Sequence, residues 1–342
     1  MMKVIPVNES VGAVLCHDLT RIVPGESKGP AFRKGHIIRK QDIPLLLQIG
    51  KEHIYVLDLD GGWVHENEAA ERIANAAAGP GLSFSEISEG RINMLASHRG
   101  LLKVNAQSLL RINSLEGIAL ASLHGDQPVE QGQAAAGARI IPLAVEEARI
   151  REVESVCAET GPILEVKPFA TCEIGVVVTG SEIYHGRIQD AFGPVVERKF
   201  AELGSRVMGK VMTSDDRELT VSAIRGFLDQ GADMVVCTGG MSVDPDDQTP
   251  ASIRAAGAAV EAYGAPVFPG AMFMLAYAGD APILGLPGCV MYHKASIFDL
   301  VVPRLLAGER VTRREIANLG HGGFCLGCKV CRWPACAFGK GA

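Results

Sequence analysis

The sequence predicts an α/β protein: a three-layer sandwich around a mostly parallel sheet, preceded by a smaller β-rich N-terminal region. From Cys172 onward, short β-branched, uncharged runs alternate with amphipathic stretches, the pattern of repeated β-α units. Three of those runs, ending at Val178, Cys237 and Leu286, pass directly into glycine turns. Before Cys172 the apolar runs are short and separated by polar turns, as in a small β-rich module.

At 342 residues the chain is long enough for several cores, and the composition breaks predict four parts: 1–62, 63–170, 171–310 and 311–342. Hydrophobic residues at 47% and charged residues at 21% are globular values. A net charge of -6 with no compensating basic run argues against nucleic acid as a main partner. No apolar run reaches the roughly 18 residues of a membrane span, and the first residues lack the apolar centre of a signal peptide, so the expected location is the cytoplasm.

In order, residues 3–7 read as a strand, 23–30 as turn-rich, 35–38 as a strand, 41–49 as a helix closed by Gly50, and 54–57 as a strand, with Gly61-Gly62 ending the part. Residues 66–78 form an alanine- and glutamate-rich helix stopped by Gly79-Pro80-Gly81. Short strands follow at 91–97, 100–104, 109–113, 117–124 and 138–142, with His98 and His124 near turns and given no role.

The second half opens with a buried strand at 173–178 and the turn Thr179-Gly180-Ser181-Glu182. A helix at 192–203 is closed by Gly204, a strand follows at 207–211, and Ser214-Asp215-Asp216 opens a helix reaching 230. The strand 234–237 leads into Thr238, Gly239, Gly240 and Ser242, then into Asp244, Asp246 and Asp247, with Thr249 as N-cap and Pro250 as first residue of a helix to 257. A strand at 282–286, Pro287-Gly288 and a helix at 291–306 complete the part. The ends of open parallel sheets bind ligands, and this rim suits a phosphate held by main-chain amides and a divalent cation held by carboxylates. Three aspartates within four residues repel one another unless a cation or donors neutralise them.

Residues 321–342 contain C-x2-C-x2-C-x4-C, at Cys325, Cys328, Cys331 and Cys336. Four closely spaced thiolates predict a metal centre, either Zn2+ or an Fe-S cluster, the first three cysteines resembling the run of bacterial ferredoxins. Such a segment would dock a redox enzyme or a metal donor.

These residues together resemble a known family. VVVTGSEI at 176–183, Asp190, SDD at 214–216, TGGMS with Asp247, PG at 269–270 and LPG at 286–288 resemble the molybdopterin-binding domain shared by the MogA, MoeA and gephyrin proteins of molybdenum cofactor synthesis. The resemblance runs over roughly 172–308, and residues 1–60 resemble part of the small N-terminal domain of the molybdopterin molybdenumtransferases. It implies a first ligand loop at Thr179, Gly180, Ser181 and Glu182, a second at Gly239, Gly240 and Ser242, and a floor and third loop at Gly270, Pro287 and Gly288. It further implies that molybdopterin or its adenylate is bound with Mg2+ and molybdate. Asp190, Asp216 and Asp247 are then the candidate acidic residues of catalysis, and Asp244 and Asp246 join Asp247 as metal ligands.

Departures accompany the matches. Asp244 stands where the family has glycine, Ala271-Met272 where it has Lys-Pro, and Cys289-Val290 where it has Asn-Pro; the Met-Asp-Gly-Tyr signature of the insertase is absent from residues 1–170. Asp246-Asp247-Gln248-Thr249 is similar to the Asp-Asp-x-Thr loop of the competence-damage nucleotide pyrophosphatases. Three readings therefore stand: promotion of molybdate insertion, a non-catalytic molybdopterin-binding or delivery protein, and a nucleotide pyrophosphatase. The resemblance also implies a homo-oligomer, dimer or trimer, and a molybdoenzyme or other cofactor-pathway protein as recipient.

Overall fold

Near the N-terminus, Met2–Pro6 pairs antiparallel with His53–Leu57, setting Val4 opposite Tyr55. Val7, Leu15, Leu19, Phe32, Ile38, Leu46 and Ile54 close a small core there. The turn-rich stretch proves to be an antiparallel hairpin of Leu19–Val23 with Ser27–Phe32. The expected strand at 35–38 contributes only an isolated bridge between Val14 and Ile37. The computed structural model describes residues 2–23, 27–57 and 62–341, so Gly61 lies outside the described residues.

The chain folds as two compact units. One holds residues 1–97, 104–123 and 131–165; the other holds 98–103, 124–130 and 166–342. In the first, helix Glu66–Ala77 accompanies a four-stranded antiparallel sheet ordered Leu82–Phe84, Arg91–Ala96, Ala134–Ile140, Ile118–Ser122. Residues 109–113, expected as a strand, are helical within Ala106–Asn113: Asn105 accepts the Ser108 N–H as N-cap, which starts a helix that buries Ile112. Helix Glu147–Thr160 was not expected. Ile150, Val153, Val156 and Cys157 fall on one buried stripe inside a glutamate- and arginine-rich run, and Gly161 at φ +76° ends it.

The second unit carries a six-stranded sheet. Its strands are β1 Glu173–Thr179, β2 Arg206–Thr213, β3 Met234–Thr238, β4 Ala259–Tyr263, β5 Met274–Ala278 and β6 Ala281–Leu286, in the order β2-β1-β3-β6-β5-β4. The first four are parallel, and β5 and β4 add antiparallel. Neither β4 nor β5 was expected, since MLAYA has no β-branched residue, but the Gly279-Asp280 turn folds β5 back on β6 with Ala278 opposite Ala281.

Side chains alternate across this sheet. Val176, Val178, Val236 and Leu284 pack with Val196 and Phe200 of α1 (Gly193–Glu202). Val177, Val235, Cys237 and Ile283 pack with Ile224 and Phe227 of α2 (Arg217–Asp229) and Ile253 of α3 (Thr249–Ala255). Each such side chain, removed from water, contributes about 1.5–3 kcal/mol, which accounts for the covered parallel strands. The helix expected at 291–306 is split into Cys289–Tyr292 and α4 (Ile297–Leu306), because Ser296 and Asp299 form a capping box that restarts it. After α5 (Arg313–Asn318), the final segment packs onto this unit, with Phe338 buried and the Gly339 N–H donating to Gly322 O at 2.9 Å.

Candidate functional site

The parallel register sets Val178 beside Thr238 and Thr238 beside Leu286, so β1, β3 and β6 end on one rim, as the glycine turns predict. The chain leaves β3 with Gly239 at φ +85° and Gly240 at φ +54°. A Cβ on Gly239 would lie 2.1 Å from Thr179 O, and one on Gly240 2.7 Å from Thr249 Oγ1, so both positions require glycine. The Thr249 hydroxyl donates to Gly239 O at 2.8 Å, its N–H donates to Gly240 O at 3.2 Å, and the Thr179 hydroxyl donates to Thr238 O at 3.2 Å. Gln248, not Thr249, is the N-cap position of α3, because the Thr249 side chain is committed to this latch.

Beyond the latch lies a cleft of about 520 Å³, lined by three segments, 239–242, 268–272 and 286–289, together with Asp247. It gathers Gly239, Gly240, Ser242, Gly270, Pro287, Gly288 and Asp247. Thr238 lies beneath, fully buried, and its hydroxyl is the buried side-chain oxygen without a hydrogen-bond partner among the described residues. Sequence reasoning missed Phe268, Met241 and Met272 as lining residues; apolar residues next to glycine turns carry no signal that separates a cleft wall from a core.

The first expected loop is not part of this cleft. Thr179 and Gly180 are buried, Gly180 N–H donates to Thr213 O at 3.1 Å, and Ser181 N–H donates to Asp215 Oδ2 at 3.0 Å. The side chain of Glu182 is exposed. Nor does the structure bring Asp190 or Asp216 to the cleft. Asp190, 3% exposed at its side chain, accepts the N–H groups of Phe192 and Gly193 and pairs with Lys210 at 3.0 Å, and this pairing raises the Lys210 pKa. Asp216 caps α2 by accepting from the N–H groups of Glu218 and Leu219 at 2.8 and 2.9 Å.

Of the three clustered aspartates, Asp244 and Asp246 are exposed and only Asp247 lines the cleft, where it accepts the Asp244 N–H at 3.3 Å. Turning outward relieves their repulsion without a cation. No group of three or more His, Cys, Asp or Glu placed to hold a metal ion occurs among the described residues. One carboxylate on a cleft still fits Mg2+, which binds through one or two carboxylates and keeps its remaining positions for phosphate and water.

The four tail cysteines are not gathered at one centre either. The Cys325 N–H donates to Phe268 O at 2.8 Å, and Cys325 and Cys336 pack half-buried against the apolar core, whereas Cys328 and Cys331 are exposed. Phe338 anchors the tail in the core, whereas Phe324 stays on the surface. A four-thiolate Zn2+ or Fe-S centre does not fit this arrangement, and no step below passes through one.

Residues 175–307 match a family model described as a probable molybdopterin binding domain, and residues 4–58 match one described as a domain of unknown function. A CinA-like protein of Mycobacterium avium (strain 104) is 37% identical over 75 residues, which is 22% of this chain and 17% of that protein. A CinA-like protein of Mycolicibacterium gilvum (strain PYR-GCK) is 38% identical over 76 residues, 22% of this chain and 18% of that protein. The matched stretch thus spans under a fifth of these relatives' length. Among solved structures, the tungsten cofactor synthesizing protein MoaB of Pyrococcus furiosus is 18% identical, with 41% of this chain and 98% of that one covered at a TM-score of 0.32. The molybdopterin biosynthesis protein MoeA of Pyrococcus horikosii is 18% identical, with 72% and 79% covered at a TM-score of 0.33.

Proposed function

We propose that this chain acts in molybdenum cofactor biosynthesis, its residues 175–307, a domain of the molybdopterin-binding family, holding molybdopterin or its adenylate with Mg2+ in the glycine-lined cleft and promoting molybdate insertion. The observation that carries the reading is the convergence of three backbone-rich segments and one carboxylate, Asp247, on a single cleft at the ends of parallel strands. Gly239 and Gly240 leave main chain open to a phosphate, because no Cβ shields it. Asp247 would hold Mg2+, whose charge, when bound, neutralises the phosphates. The latch of Thr179 and Thr249 keeps the turn in the geometry that binding needs, so catalysis is mainly positional. Assembly as a dimer or trimer and hand-over to a recipient protein belong to the same reading; sedimentation of the purified chain reads the first.

The CinA-like relatives and Asp246-Asp247-Gln248-Thr249 favour a second reading, hydrolysis of a nucleotide phosphoanhydride at the same cleft. One assay separates them: AMP release from adenylyl-molybdopterin with Mg2+, with and without molybdate. Release that depends on molybdate and falls about a hundredfold or more in Asp247→Ala supports insertion. Release without molybdate supports the pyrophosphatase, and tight binding without release makes the chain a delivery protein.

A further inference from the structure

The cleft lining contains no lysine or arginine, although the ligand proposed above is an anion with a planar ring. The C-terminal segment supplies both missing features. Its backbone is joined to the cleft rim at Phe268, whose N–H donates to Gly323 O at 2.8 Å and whose carbonyl accepts from the Cys325 N–H at 2.8 Å. That pairing brings the Phe324 ring to 6.3 Å from the Phe268 ring, tilted by 48°. Both rings face solvent, Phe268 being 55% and Phe324 72% exposed. Two aromatic rings left in water at the edge of a cleft are unfavourable there unless something covers them.

The charge of the segment points the same way. Between residues 316 and 342 there is no Asp or Glu, while Lys329, Arg332 and Lys340 are present in a chain of net charge -6. Lys340 Nζ is engaged with Pro334 O, whereas Lys329 and Arg332 are exposed and no ion pair engages them among the described residues. Lys329 lies four positions along the chain from the rim-bound Cys325, at most about 14 Å of extended chain. That upper bound exceeds the Debye length at physiological salt, so the pull of Lys329 on an anion at the cleft mouth is strongest at low ionic strength.

We infer that residues 323–332 are the outer lip of the ligand cleft: Phe268 and Phe324 take the face of a planar heteroaromatic ring, and Lys329 and Arg332 attract its anionic group. The assignment of that ring to a pterin rests on the function proposed above; an adenine nucleotide has the same chemistry. The test is a fluorescence titration of the full chain with molybdopterin and, in parallel, with Mg·ADP. Phe324→Ala should weaken binding about tenfold, as loss of one stacking ring does, and Phe324→Trp should restore it. Lys329→Gln with Arg332→Gln should weaken binding severalfold and flatten its dependence on salt. Because Phe324 is exposed, its replacement leaves the fold intact. Molybdopterin binding that is equal in wild type and Phe324→Ala overturns the lip and leaves the proposed function standing. Binding of Mg·ADP alone, weakened by Phe324→Ala, overturns the pterin reading and supports the lip; binding of neither ligand overturns both.

Discussion

Asp215 and Asp216 are adjacent in sequence and do different work. The Asp215 carboxylate accepts the Ser181 N–H, tying the end of β2 to the turn after β1, whereas Asp216 satisfies two orphan N–H groups at the start of α2. Asp216 resembles a candidate for catalysis as long as only the sequence is in view, because a capping aspartate and a liganding one are the same letter. The geometry predicts a stability effect for Asp216. Asp216→Ala should cost about 1 kcal/mol in urea denaturation and Asp216→Asn far less, since asparagine also caps. AMP release per folded molecule should remain within about twofold of wild type in both, and a loss comparable to that of Asp247→Ala would return Asp216 to the reaction.

At the scale of elements, what was legible was what burial on both faces writes into sequence. The runs of β1, β3 and β6 are mostly apolar, and each glycine turn marks where its strand stops, so the shared rim was legible from residues alone. The cleft segment around Gly270 was reached only through the family resemblance, and the loop after β1 does not line the cleft. Elements with mixed signals were not. Helix Glu147–Thr160 hides a four-residue stripe among charges, Ala106–Asn113 is fixed as a helix by its cap, and β5 is a strand because the sheet offers it an edge. The tail is the sharpest case, since C-x2-C spacing states that thiols can meet and not that they do. Its placement predicts thiol reactivity. Cys328 and Cys331, both exposed, should react rapidly with an aromatic disulfide under native conditions. Burial pushes the thiols of Cys157 and Cys237 up to about 11 and about 12, so these should react only after unfolding. Protection of Cys328 and Cys331 that is released by a chelator would instead show that these two thiols hold a metal.

At the scale of the molecule, residues 98–103 and 124–130 belong with the C-terminal unit although sequence places them far from it: Gly100–Val104 pairs between Gln127–Val129 and Leu164–Pro168 in one sheet, and a charge network adds to this. Lys103 pairs with Asp126 and, at 2.8 Å, with Glu309; Arg304, 8% exposed, pairs with Glu309 at 2.8 Å and with Glu315. Burial pushes both glutamates up, but hydrogen bonds outweigh it: those from Lys103 and Arg304 hold Glu309 below the ordinary value, and those from Thr312 and Arg304 bring Glu315 to about 2. A carboxylate whose folded pKa lies below its unfolded one binds fewer protons in the folded state. The stabilisation from Glu315 is therefore complete above the ordinary value of 4.5 and is lost as pH falls through about 2, and that from Glu309 is lost in the same direction below 4.5. Glu309→Gln should cost about 2 kcal/mol at pH 7, because buried Arg304 and half-buried Lys103 each lose a charged hydrogen-bond partner. The gap between variant and wild type should narrow as pH falls below 4.5, since the pKa of Glu309 is lowered in the folded chain. Denaturation followed by Trp333 fluorescence in a Trp63→Phe background reads the C-terminal unit alone, since the chain has 2 tryptophans and Trp333 packs against that core. A gap that stays constant across this range would mean that Glu309 holds these segments by packing and not by charge.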